Sequence, residues 1–264
     1  MWGTLVDYWY YTGDDTYNAE ASRSMVFQAE APVNAYMPAN WTASLGNDDQ
    51  GFWGMAALLA AEVNFPNPPA DQPQWLALAQ AVFNTQFPRW EMAYCNGGMR
   101  WQVESTNGGY DYKNTIANGV FLNIAARLGR YTGNATYAEW VNKAWDWMEG
   151  VGYITEDYNV LDGGHIGHNC TDVNPVQFSA NAAILIHATA IMFNYVRFPL
   201  SFSLLPLLPI LAPVLTPFAD HGLRVRQMAR SHSRPPEPHP RPLLPRRHHG
   251  RARLRARGPR AVQR

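Results

Sequence analysis

Asp48 and Asp49 are adjacent carboxylates flanked by the side-chain amides of Asn47 and Gln50, at the start of an apolar run that opens at Gly51. Two acids near a helix N-terminus sit where free backbone N–H groups and the helix dipole favour negative charge. Helix chemistry alone accounts for this much, with an Asn cap followed by acids in the first turn. What points to catalysis is the surroundings. Phe52, Trp53, Trp90, Trp101, Tyr110 and Tyr112 lie in or beside the same segments, and aromatic faces combined with amides and acids are what sugar rings bind. Core packing must still account for most such rings. His165 and His168 flank Gly167 near Cys170, but with so few companions they read as a surface turn rather than a metal site.

The elements that must position these residues are helical. Gly51 to Phe65 places Phe52, Met55, Leu58, Leu59 and Val63 at helical spacing, with small alanines between them that allow close packing. Trp75 to Phe87, Asn118 to Tyr131, Ala138 to Glu149 and Phe178 to Tyr195 read the same way, and strand-like alternation is scarce. Two long loops, Tyr94 to Tyr112 and Gly150 to Val176, are rich in Gly, Asn and aromatics, which is where binding residues usually sit. The heptapeptides YTGDDTY at Tyr11 and YTGNATY at Tyr131 share five of seven positions. Each reads as a helix ending at a left-handed glycine, Gly13 or Gly133, followed by a residue capping the next helix. Repeated helical hairpins of this size suggest a helical array or a closed α/α toroid.

Formal neutrality hides two unlike pieces. The segment 197–264 holds fourteen Arg, no Lys, two acids and twelve of the twenty Pro, whereas residues 1–196 hold nineteen acids, seven basic residues and every Trp and Tyr. Fold reasoning therefore belongs to the first 196 residues. The tail is expected to be disordered, and Arg without Lys beside abundant Pro is what GC-rich DNA yields in a wrong frame. A nucleic-acid partner is not expected. Phe198 to Phe218 is long and uncharged, but five prolines argue against a spanning helix. Met1 is followed by Trp2, Thr4 and Asp7 without a secretory signal pattern. Sequons at Asn40, Asn134 and Asn169 nevertheless suggest an extracytoplasmic glycoprotein. Cys95 and Cys170 are either two buried thiols or, in an oxidising compartment, one disulfide joining the two long loops.

The ordered runs NDDQGFWGMAALLAAE, WLALAQAVFNTQFPRW, CNGGMRWQ, GYDYKNTIANGVFLNIAARLGRYTGNATYAEW and WDWM resemble the fungal branch of glycoside hydrolase family 76, the endo-α-1,6-mannanases. The resemblance covers Met1 to about Tyr195. It implies an all-α toroid of six hairpins, incomplete in this chain, that cleaves internal α-1,6-mannosidic linkages with retention. It implies Asp48 as nucleophile and Asp49 as acid/base, with Asn47, Gln50, Trp53, Trp101, Tyr110, Tyr112 and Asn118 contacting an α-1,6-linked mannan or mannose-bearing glycan. No cofactor is needed. The full-length form is expected to be secreted, at the cell wall or the outer surface of the membrane.

Such a mechanism needs two carboxyls about 5 to 5.5 Å apart. Asp48 is expected to be held anionic by nearby amides, and Asp49 to have its pKa raised by its neighbour's charge. The alternative is a cell-wall mannan-binding protein that is non-catalytic or transglycosylating.

Overall fold

The computed structural model describes residues 1–197, an all-α arrangement with one small ribbon. The helices are α1 (Trp2–Thr12), α2 (Asn18–Ala29), α3 (Asn47–Glu62), α4 (Trp75–Gln86), α5 (Thr115–Thr132), α6 (Ala135–Gly150) and α7 (Ser179–Arg197). The strands β1 (Tyr112–Asn114) and β2 (Gly163–His165) pair antiparallel, Tyr112 opposite His165. All five helices expected from periodicity are present. α3 and α5 begin earlier than expected, because Asn47 to Gln50 and Thr115 to Ala117 are already helical.

Two layers organise the helices. The odd-numbered ones pack side by side in chain order, α1 on α3, α3 on α5 and α5 on α7, while α2, α4 and α6 each back onto the preceding odd helix. That alternation of inner and outer helices is the architecture of an (α/α) toroid. Residue composition follows from it. α5 is covered by α3, α6 and α7, so its buried residues run almost without a break from Thr115 to Gly129. α3 is squeezed between α4 and α5 and uses small residues to fit. A Cβ on Gly54 would lie 2.9 Å from Val82 Cγ1 and 3.1 Å from Ile124 Cδ1.

The inner helices run in the same direction. Gly51 lies against Val120, Gly54 against Ile124, and Glu62 binds Arg127, so α3 and α5 advance together. Their N-termini therefore share one rim, and the three long connections, 30–46, 87–114 and 151–178, all arrive there. Backbone hydrogen bonds stitch the connections together. Val103 N–H donates to Leu45 O, Asn47 N–H to Trp101 O, Trp101 N–H to Tyr112 O, and β1 continues to β2. A disulfide, Cys95 to Cys170, joins two of them across 75 residues.

At the opposite end the hairpin corners are short. Gly13 and Gly133 have φ of 73° and 72°, and each N–H bonds back to a carbonyl four residues earlier, Trp9 and Gly129. Only glycine adopts this left-handed backbone without strain. The copies then diverge. Asn134 caps α6 by accepting from Thr136 N–H, whereas Asp14 closes a local turn on Thr16 and α2 starts at Asn18 with no side-chain cap. Expectations about the Pro/Arg-rich tail, including the uncharged stretch Phe198 to Phe218, fall outside the described residues. Among the described residues no helix is long and apolar enough to cross a membrane.

Candidate functional site

The acidic pair occupies the first turn of α3, at the rim where the inner helices begin. The N-cap is Gly46, not Asn47, and Asp49 supplies the capping bond: its Oδ2 accepts the Gly46 N–H at 3.0 Å. Asp48 reaches a distant segment. Its Oδ2 accepts the Trp101 indole N–H at 3.1 Å, while Oδ1 is buried without a hydrogen-bond partner. Both carboxylates overhang the bare Cα of Gly46. A Cβ there would lie 2.3 Å from Asp48 Oδ1 and 2.9 Å from Asp49 Oδ2, so these oxygens are no farther apart than the sum of the two distances.

Their environments differ. Asp48 is partly buried and Asp49 is exposed. Burial, with the charge of Asp49 second, pushes the Asp48 carboxyl up to about 6, and hydrogen bonds from Trp101 and from the backbone of Asp48 and Asp49 only partly offset this. These nearby N–H groups do favour the Asp48 anion, but burial outweighs them. The side-chain amides of Asn47 and Gln50 bond elsewhere, and desolvation dominates.

Asn47, Gln50 and Asn118 lie 1%, 0% and 0% exposed, and their amides are committed to protein partners, which corrects the expectation that they contact substrate. Asn47 Nδ2 donates to Arg100 O, and its Oδ1 accepts from Arg89 Nη1 at 2.7 Å. Gln50 Oε1 accepts from the same nitrogen at 2.7 Å, and its Nε2 donates to Ala35 O and Thr85 Oγ1. Asn118 brackets Met99, accepting its N–H and donating to its carbonyl, and also donates to Asn114 O. All three hold the rim loops to the helices that carry the site.

The aromatic candidates divide. Trp101 touches the pair directly. Trp53 stacks on buried Tyr36 with centroids 5.2 Å apart, and lines, with Asp49, Phe52, Trp2 and Asp7, a groove of about 780 Å³ along the inner helices. Tyr110 packs under the Arg100 guanidinium at 4.3 Å and borders a separate rim pocket with Arg89 and Glu91. Tyr112 is farther along the ribbon, its hydroxyl donating to Asp162 Oδ2 at 2.9 Å and its ring against His165. His165 itself pairs with Asp172. Among the described residues no cluster could hold a metal ion. The sequon residues Asn40, Asn134 and Asn169 are all exposed; Asn169 Oδ1 accepts the Cys95 N–H.

Sequence reasoning missed the buried cations behind the rim. Arg89, besides bridging Asn47 and Gln50, has its pKa lowered to about 10 by burial. Lys113 is fully buried and donates to the carbonyls of Glu91, Tyr94 and Gly97, with Glu91 Oε2 3.3 Å away. Burial pulls its pKa down to about 8. Glu91 also binds Arg100 through both oxygens. A signal existed: the first 196 residues hold only two lysines, and one sits between the aromatics of β1 and the apolar run of α5.

The comparisons with known proteins agree with this architecture. The chain is 52% identical over 200 residues to the mannan endo-1,6-alpha-mannosidase DCW1 of Eremothecium gossypii, covering 74% of this chain and 44% of that protein. It is 50% identical over 197 residues to DCW1 of Saccharomyces cerevisiae, covering 74% and 43%. The chain thus spans less than half the length of these curated relatives. Among solved structures it is similar to Dfg5 from Chaetomium thermophilum in complex with glucosamine, with a TM-score of 0.71 and 53% identity over 84% of this chain and 52% of that one. The α-1,6-mannanase GH76A of a Salegentibacter species, an inactive variant in complex with α-1,6-mannotetrose, shares the fold at 17% identity, with a TM-score of 0.63 over 90% of this chain and 59% of that one. The sequence profile of Glycosyl hydrolase family 76 matches residues 1–197, the whole of the two-layered helical region that presents the acidic pair, and the chain belongs to that family.

Proposed function

We propose that the protein is an endo-α-1,6-mannosidase that hydrolyses mannan with retention, through Asp48 and Asp49. The observation that carries this is the pair itself: two adjacent carboxylates that lean over the same Gly46 Cα, close enough together for the short spacing a retaining glycosidase uses, in unlike environments, beside an aromatic-lined groove. The relatives' names support the substrate, and the Salegentibacter variant described as inactive has two consecutive aspartates replaced.

Below a pH of about 6 the pair holds a proton. In the free site it rests on Asp48, whose anion is penalised by burial. A mannoside bound over exposed Asp49 displaces the water there, and the proton moves across the short gap. Asp48, now ionised and steadied by the Trp101 N–H, attacks the anomeric carbon. Asp49 protonates the departing glycosidic oxygen, then takes a proton from the water that releases the glycosyl-enzyme. Helix N-terminal dipoles at the rim favour the anionic nucleophile. A secreted, cell-surface setting is part of the proposal, supported by the disulfide and by exposed sequons.

The test is incubation of the full chain with α-1,6-linked mannooligosaccharides, following products by NMR. Hydrolysis giving the α-anomer first supports the reading. Asp48→Asn removes turnover on every substrate, whereas Asp49→Asn retains glycosyl-enzyme formation on substrates with good leaving groups. Near-normal turnover by folded Asp48→Asn protein would falsify it, and transfer to sugar acceptors in place of water would identify a transglycosylase.

A further inference from the structure

We infer that Gly46 is a positioning residue of the carboxylate pair: its bare Cα leaves the space in which Asp48 and Asp49 face each other, and its N–H fixes one of them. The inference rests on the reading of that pair as the reacting groups. The contact a Cβ would make with Asp48 Oδ1, 2.3 Å, is shorter than real Cβ contacts come, and the contact with Asp49 Oδ2, 2.9 Å, is also too short.

Backbone conformation does not explain the glycine. Its φ of −85° and ψ of 153° are extended and open to any residue. An N-cap position favours Ser, Thr, Asp or Asn at least as much as Gly. Space is the remaining reason.

Neither side can give way cheaply. The backbone is pinned on both sides of Gly46, because Leu45 O accepts the Val103 N–H at 3.1 Å and Asn47 N–H donates to Trp101 O at 2.8 Å. Asp48 is tied through its other oxygen to Trp101 Nε1, and Asp49 Oδ2 to the Gly46 N–H. A side chain at position 46 therefore drives the Asp48 carboxylate out of its niche, off Trp101 and away from Asp49. One residue sets the separation of the pair, by its N–H for Asp49 and by its missing side chain for Asp48.

The experiment compares Gly46→Ala with Gly108→Ala in the full chain; the latter is a rim glycine where a Cβ would meet nothing within 4 Å. Gly46→Ala is expected to lower kcat on α-1,6-linked mannooligosaccharides about a hundredfold, the cost of ~1 Å of misplacement, with KM little changed. It is also expected to move the Asp48 titration, read from the carboxyl carbon by NMR, down from about 6 toward the ordinary carboxylate range, because the group leaves its buried position and its neighbour. Gly108→Ala changes neither. A folded Gly46→Ala protein with unaltered kcat and an unmoved titration overturns the inference. If the unaltered chain hydrolyses no α-1,6-mannan, the proposed function fails, and the titration still decides what Gly46 does. Should Gly46→Ala not fold, the same change is made in Asp48→Ala. Folding there, with a Tm close to that of Asp48→Ala alone, supports a clash with the carboxylate, and failure to fold in both backgrounds overturns it.

Discussion

Asp48→Asn should make the folded protein more stable at neutral pH while removing its chemistry. Burial and the charge of Asp49 raise the Asp48 carboxyl from an ordinary 3.8 to about 6. At ~1.4 kcal/mol per pH unit, that shift sets about 3 kcal/mol against the ionised folded state. Asparagine carries no charge and can still accept the Trp101 N–H. It leaves one buried polar group without a partner, as Asp48 Oδ1 is now, at a cost of about 1 kcal/mol. Allowing for solvent screening of a partly exposed group, the net gain is about 1 to 2 kcal/mol, or roughly 3 to 6 °C in Tm for a domain of this size. The pH dependence follows from the sign of the shift. Because the folded state takes the proton more readily than the unfolded chain, the unaltered protein loses stability as pH rises from the ordinary value of 3.8 to about 6, and the penalty persists above that. The gain from Asp48→Asn is therefore absent near pH ~4 and complete above pH ~6.5. Asp49→Ala should cost about 1 kcal/mol near pH ~4, since Asp49 caps α3, and less above pH ~6.5, where it also removes a charge that disfavours the Asp48 anion. Urea unfolding followed by Trp fluorescence at two pH values measures both. Asp48→Asn protein that is destabilised at neutral pH, or that shows the same difference at both pH values, refutes the reasoning.

Trp101→Phe removes the N–H that favours the Asp48 anion, so the alkaline limb of the kcat/KM profile should move to higher pH; a limb that stays put would separate Trp101 from the pair's titration. Asn118→Ala strands the N–H and carbonyl of Met99 and the carbonyl of Asn114, and should cost about 2 to 4 kcal/mol in unfolding free energy. The KM of the folded protein should be unchanged, and a raised KM without a loss of stability would restore a substrate role. Lys113→Met strips the donor from three carbonyls and leaves Glu91 with Arg100 alone, so it should cost about 3 kcal/mol and expose 91–98 to proteolysis. Resistance of that loop equal to the unaltered chain's would count against the lysine as its anchor.

The helices were legible because their signals are local. Apolar residues every three or four positions, small residues along α3 and the two YTG corners each depend on a few neighbouring residues, and each reappears in the structure. The acidic pair was visible for the same reason. What the site residues do was not visible, because it depends on segments far apart in the chain. Asn47, Gln50 and Asn118 look like sugar-binding amides until Arg89 and Met99 are seen to occupy them. That burial raises the Asp48 carboxyl and that Trp101, 53 residues away, bonds it could not be read from the residues around it. Gly46 reads as an unremarkable residue before a helix until both carboxylates are seen to lean over it. Residue types and short-range spacing determined which elements form and where the reactive groups stand. Burial, charge coupling and the room left at Gly46 are set by packing between distant segments, and only the tertiary structure decided those.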